Sequence, residues 1–312
     1  MSFEQINALA KQRKPFLFIS DFKGQRVEVI LLEDLQDADI EFCIDEKYDY
    51  VKHPHKLQIM SINFTEYKKK FDAVIEKIKS GETYILNLTQ ATPVQTTLSL
   101  SDMFQVANAH YKLRYKNEFL CFSPEKFIQI ANDMIHTFPM KGTIDASVKN
   151  AEEKILSNEK EMAEHIMIVD LLRNDLSIVA SEVKVEDFRY LQTIEAGEKK
   201  LLQVSSHISG RLHENWYENL GSILQALLPA GSISGAPKKS TVNIIENIEE
   251  YDRGFFSGVF GVFDGEILDS GVMIRFLEKT ENGYLYKSGG GITLDSDVNM
   301  EYQELQDKIY LP

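Results

Sequence analysis

The sequence holds little that can be cross-linked, little that can enter a membrane and comparatively little positive charge. Cys43 and Cys121 are the only cysteines in 312 residues. Two cysteines so far apart make neither a disulfide framework nor a CxxC pair, which suits a reducing compartment. No apolar run approaches the roughly 20 residues that a membrane-spanning helix needs. The opening stretch, MSFEQINALAKQRKPFLFIS, has an apolar run too short for a secretion signal. A cytoplasmic protein without a membrane partner is expected. Lysine and arginine number 34 against 48 aspartates and glutamates, a net charge of −14. That balance works against nucleic acid. An anionic small-molecule substrate would need a local basic cluster or a metal ion. Nucleotide fingerprints are also missing: there is no GxxxxGK[ST], and no GxGxxG follows a strand and opens a helix.

What is present suits a globular protein with a large core, since 43% of residues are hydrophobic and 10% aromatic. FLFIS and RVEVILL, on either side of Asp21-Phe22-Lys23-Gly24, read as a hairpin. Residues 65–80 place Phe71, Val74, Ile75 and Ile78 on one helical face, with Gly81 as the stop. Further helices are expected over 101–114, 151–173, 215–228, 237–250 and 297–310. Strands are expected over 83–94, 119–122, 127–131, 134–138, 183–194, 200–208, 256–263, 266–277 and 283–287. Strands cluster between helices without regular βαβ alternation, so the expected class is α+β, an α/β sandwich with largely antiparallel sheets. No linker or repeat interrupts the series. One domain is expected over 1–312, with about 1–62 a short β-rich region and the core running from about 63.

Three local signals carry chemistry. In Phe138-Pro139-Met140-Lys141-Gly142-Thr143, proline ends a strand's hydrogen bonding and Gly142 lets backbone approach a ligand closely. Lys141 then leaves the core partly desolvated, with a lowered pKa and a nucleophilic amine; the competing reading is a solvated lysine in a turn. Glu161 and Glu164 share a helical face, and Glu301 and Glu304 repeat the spacing. Oxygen-only ligands point to Mg²⁺ if the two pairs meet, and otherwise to two solvated acidic faces. The glycine-rich stretches 229–238 and 288–292 allow close backbone approach, and the first runs into a helix start able to face an anion. Either could equally be a turn packed for steric reasons.

Taken together, the segments SPEKF (123–127), PMKGT (139–143), EMAEHIMIVDLLRNDL (161–176), LLPAGSISGAPKKS (227–240), RGFFSGVFG (253–261) and GGGITLDSDVNMEYQE (289–304) are far more specific. In this order the chain resembles the chorismate-utilising enzymes, which include aminodeoxychorismate and anthranilate synthase component I and the isochorismate and salicylate synthases. The resemblance implies a two-lobed fold with the active site between lobes. It implies Lys141 as the nucleophile attacking C2 of chorismate, and Glu125 as the general acid/base. Glu161, Glu164, Glu301 and Glu304 match the Mg²⁺ cluster. Gly142, Thr143, Arg275, Gly289, Gly291 and Lys308 match substrate-holding positions. Lysine in PMKGT looks like aminodeoxychorismate synthase, where anthranilate synthases usually have alanine. Isochorismate- and salicylate-type enzymes carry a lysine base in the strand after the first helix; here 84–89 reads YILNLT, without one. The implied reaction is amination of chorismate at C4, with ammonia from a separate glutamine amidotransferase subunit, towards 4-aminobenzoate and folate. Several positions depart from the pattern: lysine in SPEKF, no Gly-Arg after RNDL, GGGI for GAGI, and Phe256 where a tyrosine is common. The N-terminal region is shorter than in full-length relatives and lacks the segment that binds the feedback amino acid in anthranilate synthases.

Overall fold

The computed structural model describes residues 2–44, 57–60, 63–196 and 199–312. The chain begins with α1 (Phe3–Lys11), which buries Phe3, Ile6 and Ala10 on one face. The hairpin β1 (Phe16–Ser20) and β2 (Val27–Leu31) follows, then β3 (Ile40–Ile44) and β4 (Gln58–Ile59). α2 (Phe64–Lys79) starts where the Asn63 side chain accepts the Thr65 and Glu66 amides, and it buries Tyr67, Phe71, Val74 and Ile78. Gly81, at φ 76°, ends it. Next come β5 (Ile85–Gln95), α3 (Leu100–Val106), β6 (Tyr111–Tyr115), β7 (Phe119–Ser123), β8 (Lys126–Ala131), β9 (Met134–Thr137) and β10 (Met140–Asp145). α4 (Ala151–Leu156) and α5 (Glu159–Val179) lead to β11 (Ser181–Ala196) and β12 (Lys199–Arg211). The last part holds α6 (Leu220–Leu227), β13 (Gly235–Ala236), α7 (Lys238–Glu249), β14 (Val259–Phe263), β15 (Leu268–Val272), β16 (Phe276–Thr280), β17 (Gly283–Ile292) and α8 (Val298–Asp307).

The fold is α+β with two antiparallel sheets. A nine-stranded sheet runs β10-β12-β9-β8-β15-β14-β1-β2, with β11 also on β12. An eight-stranded sheet runs β13-β5-β17-β16-β7-β6-β3, with β4 on β5. The largest apolar core joins residues of α2, α5, α6 and α7 to inward side chains of both sheets, among them Phe71, Leu172, Leu224, Ile245, Leu86 and Ile130. The burial of these side chains, at about 1.5–3 kcal/mol for each large one, fixes the helices over the sheets.

Several sequence expectations are corrected. The β-rich N-terminal region also holds a helix that was not expected, α1, which packs against α6. The helix expected over 101–114 stops at Val106, and Tyr111–Tyr115 forms β6 between β3 and β7. Alternating cross-strand pairing wins there over helical spacing. The long helix is two helices, because the Asn158 side chain accepts the Glu161 amide and starts α5 afresh. The strand expected over 266–277 breaks at Arg275, whose φ is 51°. The segment that carries Lys141 is a strand and not a turn. Part of the acidic stretch before Ile62 lies outside the described residues.

Candidate active site

β9 and β10 lie end to end along β12, separated by Phe138-Pro139, where proline cannot donate to the ladder. Within β10 the pairing jumps from Met140↔Ser205 to Thr143↔Gln203, so Lys141 and Gly142 form a bulge. A bulge re-aims a side chain. Gly142 takes φ +91°, and a Cβ on it would lie 3.3 Å from Glu161 Oε2. Lys141 Nζ meets Glu164 Oε2 at 2.7 Å.

On the other sheet, β17 pairs with β5 so that Gly289, Gly290 and Gly291 oppose Thr89, Leu88 and Asn87. A Cβ on Gly289 would fall 2.4 Å from the Leu88 carbonyl oxygen, so only glycine fits. Gly290 faces α8: a Cβ there would sit 3.4 Å from Glu301 Oε2, 3.6 Å from Glu304 Oε1 and 3.6 Å from Lys308 Nζ. Sequence reasoning passed over Gly290; its signal was the missing side chain opposite a carboxylate-bearing helix. Lys308 holds Glu304 at 2.6 Å and donates to the Gly289 carbonyl at 2.7 Å. Asp297 caps α8, and Ser296 donates to Glu301 at 2.8 Å.

The two carboxylate pairs are within electrostatic reach of one another and of Lys141. Burial raises the Glu161 carboxyl, with Lys141 opposing and Glu164 and Glu304 adding to the rise. Burial raises Glu301 as well, against its bond from Ser296. Glu304 would also be raised by burial, but Lys308, Lys141 and Arg275 hold it below the ordinary value. Lys308 is lowered by burial, helped by Arg275 and Lys141 and opposed by Glu304. Lys141 departs from expectation. Burial does push its amine down, but the ion pair with Glu164, helped by Glu304 and Glu161, outweighs burial and raises it. The expected lowered pKa is therefore corrected: in this arrangement the ammonium keeps its proton because Glu164 holds it.

Glu125 precedes β8. Burial raises its carboxyl, opposed by a hydrogen bond from Ser232 and by the charges of Arg275 and Lys308. Ser232 belongs to the glycine-rich 229–238 stretch, and its role was not visible in sequence. Arg275 Nε is buried without a hydrogen-bond partner. Thr143 is exposed opposite Gln203 and is not brought into this cluster. Gly291, opposite Asn87, lies one residue beyond the Glu301–Glu304–Lys308 contact.

Whether the carboxylates suit a cation can be read from the donors. Glu161 Oε2 is buried with no hydrogen-bond partner. All four donors are hard oxygens, as Mg²⁺ requires. Among the described residues no group of three or more His, Cys, Asp or Glu side chains is already gathered closely enough to hold an ion. Lys141 pairs with Glu164 at 2.7 Å and also feels the charges of Glu304 and Glu161.

With this geometry in place, the comparisons with known proteins speak to its origin. Residues 10–311 match the model of the family described as chorismate binding enzyme. The chain belongs to that family. It is 45% identical over 313 residues to an uncharacterized PabA-like protein of Haemophilus influenzae, covering 99% of this chain and 95% of that one. It is 32% identical over 260 residues to aminodeoxychorismate synthase component 1 of Escherichia coli, covering 78% of this chain and 56% of that one. The chain therefore aligns with about half the length of that synthase. The menaquinone-specific isochorismate synthase of Escherichia coli shares the fold at a TM-score of 0.76 and 16% identity, over 98% of this chain and 81% of that one. Anthranilate synthase component I of Streptococcus pneumoniae does so at 0.69 and 23%, over 98% and 78%. Among the described residues no helix is long and apolar enough to cross a membrane.

Proposed function

We propose that the protein is an aminodeoxychorismate synthase component I, aminating chorismate at C4 to give 4-amino-4-deoxychorismate for 4-aminobenzoate and folate synthesis. The observation that carries this reading is Lys141, placed on a bulge and 2.7 Å from Glu164. A binding protein has no need of a lysine there, and an anthranilate-type site would carry alanine. The 32% identity to an aminodeoxychorismate synthase supports the same choice.

In this reading Arg275 and Lys308 hold the substrate's carboxylates, matching two anionic groups with cations whose donors are free or exchangeable. Glu161, Glu164, Glu301 and Glu304 would hold Mg²⁺, which would supply positive charge against the substrate's carboxylates. Lys141 gives up its proton through Glu164, 2.7 Å away, to solvent before it attacks. The neutral Nζ attacks C2; the C2–N bond forms, both ring double bonds shift and the C4–O bond breaks. Glu125, whose carboxyl burial raises, would act as the general acid, giving a proton so that water leaves. Ammonia then attacks C4 as the C2–N bond breaks and returns the electron pair, and the surplus proton passes to Glu125. YILNLT at 84–89 offers no lysine to activate water, which disfavours isochorismate chemistry.

The test is product identification. Pure protein with chorismate, Mg²⁺ and ammonium salt should yield 4-amino-4-deoxychorismate. Glutamine in place of ammonium should yield nothing until an amidotransferase subunit is added. Anthranilate or isochorismate as the main product would replace this reading.

A further inference from the structure

A buried ion pair behind the site, Arg253–Glu249, takes no part in the chemistry above. Arg253 is 2% exposed and Glu249 1%. The two form a fork, Nε to Glu249 Oε2 at 2.8 Å and Nη2 to Oε1 at 2.6 Å. Replacing so buried a pair by apolar residues is often neutral for stability, so its presence calls for another reason. Its remaining bonds supply one. Nη1 donates to the Ile233 carbonyl at 2.9 Å, and Nη2 to the Asn87 carbonyl at 2.7 Å. Glu249 accepts the Thr89 amide and hydroxyl, each at 2.8 Å. The Arg253 carbonyl accepts Lys287 Nζ of β17 at 3.2 Å.

These partners are the backs of the site's walls. Asn87 and Thr89 pair across the ladder with Gly291 and Gly289. Ile233 follows Ser232, the hydroxyl that bonds Glu125. The Asn87 amide also donates to the Ser234 carbonyl at 2.9 Å, so β5 and the 231–234 turn are tied to each other as well as to the guanidinium. We infer that the Arg253–Glu249 pair is a positioning unit, setting the β5–β17 glycine wall and the Ser232–Glu125 contact at a fixed distance from each other. Neither residue touches substrate. The planar guanidinium can reach Glu249, Ile233 and Asn87 at once; an ammonium, with one donor centre, cannot.

The inference rests on the amination reading, and its test keeps the two apart. Arg253→Lys keeps the charge for Glu249 but gives up at least one carbonyl. Arg114→Lys is the matched control, because Arg114 bridges Asp39 and Glu41 away from the site. With chorismate, Mg²⁺ and ammonium, Arg253→Lys should lose on the order of 100-fold in kcat/KM, through a lower kcat and a higher KM for chorismate, as expected of misplaced catalytic groups. Its amides in 86–90 and 231–234 should exchange hydrogen faster. Arg114→Lys, at a comparable loss of Tm, should keep wild-type kinetics. If Arg253→Lys does not fold, Glu249→Asp carries the same prediction with the fork shortened. Wild-type kinetics in a folded Arg253 or Glu249 variant would overturn the inference, as would an equal loss in Arg114→Lys. If the wild type itself forms no aminated product, the amination reading falls first and the inference with it.

Discussion

Replacing Gly142 by alanine perturbs the site at one atom, and the structure sets the size of the effect. Gly142 sits at φ +91°, in the bulge beside Lys141. An alanine forced into left-handed backbone costs about 1–2 kcal/mol. The new Cβ would also lie 3.3 Å from Glu161 Oε2, an atom with no hydrogen bond to hold it in place. The carboxylate must yield by a few tenths of an ångström, or the bulge must relax and turn Lys141. Either response disturbs the Lys141–Glu164–Glu161 group. The variant should lose a few degrees in Tm and on the order of 100-fold in amination rate. Gly81→Ala is the internal control, because Gly81 also takes a left-handed φ, +76°, but a Cβ there would meet nothing within 4 Å. It should lose a similar amount of stability and remain active. Thermal unfolding and ammonia-dependent product formation measure both. A fully active Gly142→Ala, or a Gly81→Ala that loses as much activity, would show that the bulge does not set the lysine.

Chelation with EDTA should abolish turnover, and Glu164→Gln should do the same in a protein that still unfolds cooperatively; full activity in a metal-free preparation would remove the cation from the account. Burial, with Arg189 next and Lys141's backbone opposing, lowers His165 to about 4. A depressed histidine gives stability that is present above pH 6.5 and is lost as pH falls towards 4, about 3 kcal/mol in all. Urea unfolding across that range should lose most of this slope in His165→Gln, and an unchanged slope would show that another group titrates.

The parts of the site legible in sequence were those whose chemistry is local. The i,i+3 glutamates and the PMKGT lysine stand out by residue type and spacing, which leave solvated alternatives open; the family resemblance is what gives them roles. Their arrangement was not legible, because it depends on β10 and β17 lying in different sheets while α5 and α8 carry the carboxylates to within electrostatic reach of one another. Lys141's protonation was misread for the same reason: desolvation could be anticipated from burial, but Glu164 at 2.7 Å could not. Tyr111–Tyr115 was taken for helix because its strand character comes from partners 40–44 and 119–123, supplied by tertiary pairing. The hairpin of β1 and β2 was found because its turn and both strands are contiguous. Ser232 and Arg253 could not be found from spacing, since each acts on residues more than 100 positions away.

The claim that Lys141 is the nucleophile is tested most directly by single-turnover mass spectrometry of the protein with chorismate and Mg²⁺ and no ammonia. An adduct on Lys141, with mass increased by chorismate less water and discharged to 4-amino-4-deoxychorismate when ammonium is added, is the predicted result. The contradictory result is no adduct in the wild type together with a Lys141→Ala protein that still makes 4-amino-4-deoxychorismate at near wild-type rate.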